Sequence, residues 1–233
     1  MSSLPADPIA LALETAGSAC SVAIARGEQV LAAERRAMRH GHAQVLLAMV
    51  DAVVARAGLT PEMLDTVAVS VGPGGFTGIR VGLAAARGIA LASGARLVGV
   101  TCFAAVAAAC PPEEAALLVA LDSRRSDFYV QLFGKHKAAL TQPAAVQPED
   151  LAARIASVVG EEPLTIAGDA SEAAAAALAG RHAVKIMPDT APDARAVIAA
   201  YRHTAAPSHA VPLYLRPPDV SFPKLGAALT RMP

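Results

Sequence analysis

Among its 233 residues this chain has only 3 cysteines, Cys20, Cys102 and Cys110, and no Cys-x-x-Cys pair. An odd number without metal-ligand spacing argues against a disulfide framework and a zinc site, and it suits a reducing, cytoplasmic setting. Nor is there an excess of charge of either sign, since 20 Lys and Arg meet 20 Asp and Glu. A protein that grips nucleic acid unaided usually carries a basic excess, so any such role here is expected to be shared with a partner. The opening "MSSLPADPIALALET" has no basic segment ahead of its apolar stretch and does not read as a secretory signal. No run reaches the ~18 uncharged apolar residues of a membrane span, because Arg87 and several glycines break "VGLAAARGIALASG". Catalytic signatures are missing too. Ser21 stands in no Gly-x-Ser-x-Gly elbow, and no Ser–His–Asp or Cys–His order stands out. The pair His40 and His42 has a spacing of two, not the His-x-x-x-His of a helical metal site, and no metal is expected.

What is present is core material: 54% hydrophobic against 17% charged residues, which excludes general disorder. Segments 9–15, 19–27 and 29–36 read as strands joined by short turns, hence antiparallel neighbours. A helix over 42–58, a strand over 66–72, a helix over 77–94 with Thr77 as N-cap, and a strand over 96–100 follow. The pattern then restarts. "VALDSRRSDFYVQL" repeats the layout of "LALETAGSACSVAI", an apolar strand ending in a carboxylate, a small-residue turn and a second strand. Helices at 148–159, 171–179 and 192–203 alternate with strands at 164–169 and 183–188. We read a degenerate duplication: an N-terminal lobe 1–104, a C-terminal lobe 105–206, and a proline-rich tail 207–233 packing back on a lobe. That layout describes an α/β fold of the two-lobed actin-like/Hsp70-like (ASKHA) class. In that class a nucleotide lies between the lobes, held with help from one carboxylate of each; here those are Glu14 and Asp122. Single carboxylates at strand ends also serve only to form turns.

"VSVGPGGFTGIRVG" carries the densest motif. It is no P-loop, since Ile79 and Arg80 follow Gly78, and no dinucleotide fingerprint, since Thr77 stands where the third glycine belongs. Gly72, Pro73, Gly74, Gly75, Phe76 and Thr77 form either an anion-holding loop or a tight strand-to-helix corner. In the helix beyond, Gly78, Gly82, Ala86 and Ala90 recur every four residues as a flat stripe suited to close approach. The helix at 42–58 is apolar nearly all round, with Val45, Leu46, Met49, Val50 and Val53, and needs cover on more than one side. A partner protein gives that cover, or neighbouring helices of the same chain do. Arg35, Arg36, Arg39, His40 and His42 make the strongest basic cluster, facing either RNA phosphates, an acidic partner or solvent.

The segments "GPGGFTGIRVGLAAARGIA", "ALDSRRSDFYVQLF" and "HAVPLYLR", in that order, resemble the TsaB (YeaZ) family. The family motif Gly-Pro-Gly-Ser-Phe-Thr-Gly-Leu/Val-Arg matches Gly72–Arg80, with Gly75 in place of Ser. The resemblance implies the two-lobed fold and a non-catalytic subunit of tRNA N6-threonylcarbamoyladenosine formation, binding a TsaD-type catalytic subunit. It implies a TsaE-type ATPase and tRNA met only through the complex, and a homodimer when the chain is alone. It places the interface on the helices at 42–57 and 77–93. Two departures weigh against productive nucleotide binding, so no cofactor is expected beyond weak nucleotide binding. Glu14 replaces the usual Asp, and "IAGDAS" offers a single glycine at the second-lobe corner. The alternative is an actin-like ATPase or small-molecule kinase that uses the interlobe cleft with Glu14, Asp122 and the loop.

Overall fold

The alternation of the first strand sets the layering of the first lobe. In β1 (Ile9–Glu14) the large residues Ile9, Leu11 and Leu13 point one way and Ala10 and Ala12 the other, and all are buried. A strand buried on both faces needs cover on both. β1 pairs antiparallel with β2 (Ala19–Arg26), which pairs antiparallel with β3 (Gln29–Ala37). After α1 (His42–Arg56), β4 (Thr66–Ser70) pairs parallel with β1. After α2 (Phe76–Ser93), β5 (Arg96–Val100) pairs parallel with β4 and leads into α3 (Cys102–Ala109). The sheet order is β3-β2-β1-β4-β5. In this computed structural model residues 7–111, 115–188, 190–202 and 210–216 are described.

The second lobe repeats the plan. β6 (Ala116–Asp122) pairs antiparallel with β7 (Phe128–Phe133), which pairs with β8 (Ala144–Val146). After α4 (Pro148–Val159), β9 (Leu164–Ala167) pairs parallel with β6; after α5 (Ser171–Ala177), β10 (Val184–Ile186) pairs parallel with β9. The order β10-β9-β6-β7-β8 mirrors the first sheet strand for strand, and α6 (Ala194–Arg202) stands where α3 stands. Glu14 and Asp122 are the last residues of the equivalent strands β1 and β6.

Cover comes from within the chain. Leu46, Met49 and Val53 of α1 and Ile79 and Leu83 of α2 pack on the large-residue face of the first sheet. Val197, Ile198 and Tyr201 of α6, with Ala105 of α3, pack on its alanine face beside Ala10, Ala12, Ala23 and Ala68. Small residues there let two helices lie close. Thus α6 belongs by sequence to the second half and by packing to the first sheet. Phe103 and Val106 of α3, with Cys110 just after it, share one cluster with Leu117, Val119 and Phe133, so the core runs from one lobe into the other. The second lobe's remaining core joins Leu118, Val130 and Leu132 to Leu151 and Ile155 of α4.

The described part of the tail, residues 210–216, lies against the first lobe. The Leu213 amide donates to the Val71 carbonyl at 2.7 Å, and Arg87 donates to the Ala210 carbonyl at 2.9 Å. Arg216 forms an ion pair with Asp127 of the β6–β7 turn, so this segment touches both lobes. The rest of the tail, like residues 112–114 at the expected lobe boundary, lies outside the described residues. Among the described residues no helix is long and apolar enough to cross a membrane.

Candidate partner-binding face and interlobe cleft

The glycine loop is a corner folded onto the β1–β2 turn. Gly72 has φ +105, a conformation that strains a residue with a Cβ. A Cβ on Gly74 would stand 2.3 Å from the Ala16 carbonyl oxygen, and the Gly75 amide donates to that same oxygen at 2.8 Å. The helix cap is Gly75, with no side-chain cap bond; Thr77 is exposed in the first turn and is not the N-cap. Pro73 is buried, and the half-buried Phe76 ring lies under the Arg80 guanidinium, 3.7 Å from its centroid. Tyr214 of the tail stacks on Phe76 with centroids 5.1 Å apart, and its hydroxyl accepts from Arg80 Nε at 3.2 Å.

The small-residue stripe faces inward. A Cβ on Gly78 would lie 2.0 Å from the Thr15 carbonyl oxygen, and one on Gly82 2.3 Å from Thr15 Oγ1. Thr15 Oγ1 donates to the Gly78 carbonyl at 2.8 Å, and Ala86 and Ala90 are buried. Leu46, Met49, Val50 and Val53 of α1 are buried too, and Val45 is half-buried. Of the nine residues expected to meet a partner, eight are buried inside the chain and Val45 is half-buried. What α1 and α2 offer outward is the opposite pair of faces. On α1 these are Ala43, Gln44, Leu47, Ala48, Asp51, Ala55 and Arg56; on α2 they are Thr77, Arg80, Ala84, Arg87, Gly88, Leu91 and Ala92. Leu47 is 56% and Leu91 87% exposed, the two large apolar side chains on a surface that mixes alanines and Gly88 with Gln44, Asp51, Arg56, Arg80 and Arg87.

Glu14 is fully buried. Its Oε1 accepts from the Ala16 and Gly17 amides at 2.7 and 3.0 Å and from Ser70 Oγ at 3.3 Å, while Oε2 has no partner. Burial pushes its carboxyl up to about 7 against the pull of those donors. Asp122 is exposed; its amide donates to Asp169 Oδ1 and its Oδ1 accepts from the Arg124 amide. Arg124, at φ 62, reaches across the lobes to donate to the Gly17 carbonyl at 2.9 Å and lies beside Gly75. The cavity left between the lobes here, walled by Gly17, Gly74, Asp122, Arg124 and Asp169 among others, has a volume of about 20 Å³. That volume is about the room one water molecule needs. Among the described residues no group of three or more His, Cys, Asp or Glu is placed to hold a metal ion.

The basic cluster is partly neutralised. Arg35 pairs with Asp193 at 3.7 Å, and Arg36 and Arg56 share Glu34 at 2.7 and 3.2 Å. Arg39 and His40 are exposed, and His42 is buried at the start of α1, where desolvation lowers its pKa. The arginine latch and the Tyr214–Phe76–Arg80 stack escaped the sequence reading. Their signal was an arginine pair in the β6–β7 turn and a lone tyrosine in the proline-rich tail.

A family model described as "TsaD: tRNA N6-adenosine threonylcarbamoyltransferase" matches residues 34–191. The chain is 34% identical over 122 residues to the tRNA threonylcarbamoyladenosine biosynthesis protein TsaB of Haemophilus influenzae; the match covers 51% of each, about half the length of that relative. Among solved structures, YeaZ from Pseudomonas aeruginosa superposes with a TM-score of 0.74 at 24% identity, covering 89% of this chain and 100% of that one. A ROK hexokinase from Thermus thermophilus superposes at 0.51 and 11% identity over 84% of this chain and 99% of its own, which places the fold in the actin-like class.

Proposed function

The chain belongs to the TsaB/YeaZ family, and from that premise we propose that it acts in tRNA threonylcarbamoyladenosine biosynthesis as a non-catalytic subunit. It binds and orients a TsaD-type catalytic subunit through the outward faces of α1 and α2. The observation that carries this reading is the exposed pair Leu47 and Leu91 among alanines and Gly88, with charged residues of the same faces around them. Small residues let a partner's helices come close, and the two leucines supply the apolar anchors that interface centres favour. Alone, the chain covers this face with a second copy. A TsaE-type ATPase and tRNA are met through the assembly, in keeping with the zero net charge and the paired arginines.

The rival reading as an ATPase or kinase needs Glu14 and Asp122 to share a metal-bound nucleotide. The Arg124 latch and the 20 Å³ cavity weigh against it, and so does the hydrogen bonding of Glu14 to its own turn. The test is threonylcarbamoyl transfer to tRNA by the reconstituted assembly. Leu47→Asp and Leu91→Glu are expected to remove the stimulation this subunit gives, and Asp122→Ala to leave it within about twofold. Stimulation that survives both leucine changes and falls with Asp122→Ala reverses the assignment.

A further inference from the structure

A second, larger cavity shares no residue with the cleft. It lies between α3, α6 and the second sheet and has a volume of about 610 Å³, in the range of small-ligand sites (about 300–1,000 Å³). Its wall is mostly apolar: Ala107 and Ala108 of α3, Leu117 of β6, Phe133 of β7, Met187 beyond β10 and Ala200 of α6. The alanines keep it open, since any larger side chain there would enter the space.

The turn after β7 brings His136 and Lys137 to the lining. Lys137 Nζ donates to the carbonyls of Ala108 and Cys110, which fixes the ammonium at the C-terminal end of α3. An ammonium has three hydrogens, and these two carbonyls take two. Among the described residues no carboxylate lines the cavity, and desolvation lowers the Lys137 pKa. His136 and Lys137 both hold left-handed backbone, at φ 55 and 60, which is uncommon for residues with a Cβ and is found where the surrounding structure enforces it.

We propose that this cavity binds a small amphipathic carboxylate, with the apolar body against Leu117, Phe133 and Met187 and the carboxylate on Lys137. A monoanion fits better than a phosphate because Lys137 is the one lysine or arginine among the described lining residues. This site is independent of the α1–α2 face and stands or falls separately from the subunit reading.

The probe is sodium octanoate, titrated calorimetrically into the full-length chain, with octanol as its uncharged counterpart. Octanoate is expected to bind saturably at one site and at least about tenfold tighter than octanol, as a charge-assisted hydrogen bond implies. Lys137→Met removes that preference, and Ala108→Phe, which fills the half-buried rim, removes binding of both. In the unaltered protein with labelled methionine methyls, octanoate shifts the Met187 signal and leaves that of Met49, on the buried face of α1, in place. This localises the ligand without any variant and so stands even where Lys137→Met fails to fold. Absence of saturable binding at millimolar octanoate, equal affinity for octanol, or an unmoved Met187 signal overturns the proposal.

Discussion

Two glycines of α2 receive opposite predictions for the same substitution. Gly78→Ala places a Cβ 2.0 Å from the Thr15 carbonyl oxygen and 3.1 Å from its carbon, both backbone atoms. Neither can rotate away, so α2 must shift from β1 or the turn must deform. Overpacking of this kind costs about 1–3 kcal/mol, and loss of the Thr15–Gly78 hydrogen bond adds about 1 kcal/mol. The helical gain of Ala over Gly returns about 1 kcal/mol. The net expectation is destabilisation by about 1–3 kcal/mol, a fall in Tm of roughly 3–10 °C for a domain of this size. Gly88 lies ten residues further along the same helix, exposed, with nothing within 4 Å of a built Cβ. There only the propensity acts, and Gly88→Ala should stabilise by about 0.5–1 kcal/mol. Urea unfolding of both variants beside the parent decides it. A Gly78→Ala protein as stable as the parent refutes the inward-facing assignment of the stripe.

Three further outcomes follow from the buried and bridging charges. Glu14, raised by burial from 4.5 to about 7, binds a proton more tightly in the folded than in the unfolded chain. Its contribution to stability is therefore fully present below pH 4.5 and lost as pH rises through about 7, by up to about 3 kcal/mol. Glu14→Gln, compared with the parent by urea unfolding at pH 5 and pH 8, should flatten that difference; an unchanged pH dependence contradicts the buried carboxyl's role. Arg216→Ala leaves the Asp127 carboxylate, 2% exposed, without its cation and should destabilise by about 3 kcal/mol in the same assay. Arg124→Ala removes the bond to the Gly17 carbonyl and should speed amide exchange in the β1–β2 turn by about tenfold; unchanged exchange there removes the latch.

Much of the architecture was legible because its signals are local. The carboxylate-ended strands, the turns after them and the glycines closing the helices gave β1, β2, β5 and α4 to within a residue or so. The duplication followed from comparing two openings, and the mirrored strand orders carry it further than the sequence comparison did. β8 escaped because "AAV" is three residues of weak strand preference. The faces of α1 and α2 were illegible for a physical reason. A helix apolar nearly all round has no distinct inner side, and a stripe of small residues announces a close approach without naming the neighbour. Here the neighbour of Gly78 and Gly82 is Thr15, in the same chain. The return of α6 to the first sheet is a long-range contact whose amphipathic pattern fixes a buried face and gives no address.

The central claim, that α1 and α2 are partner-binding through their outward faces, is tested most directly by mass in solution. Light scattering of the chain alone and mixed with a TsaD-type subunit should give a homodimer that yields to a one-to-one heterodimer, and Leu91→Glu should abolish both species. A monomer that ignores the partner, or a heterodimer that Leu91→Glu leaves intact, contradicts the account.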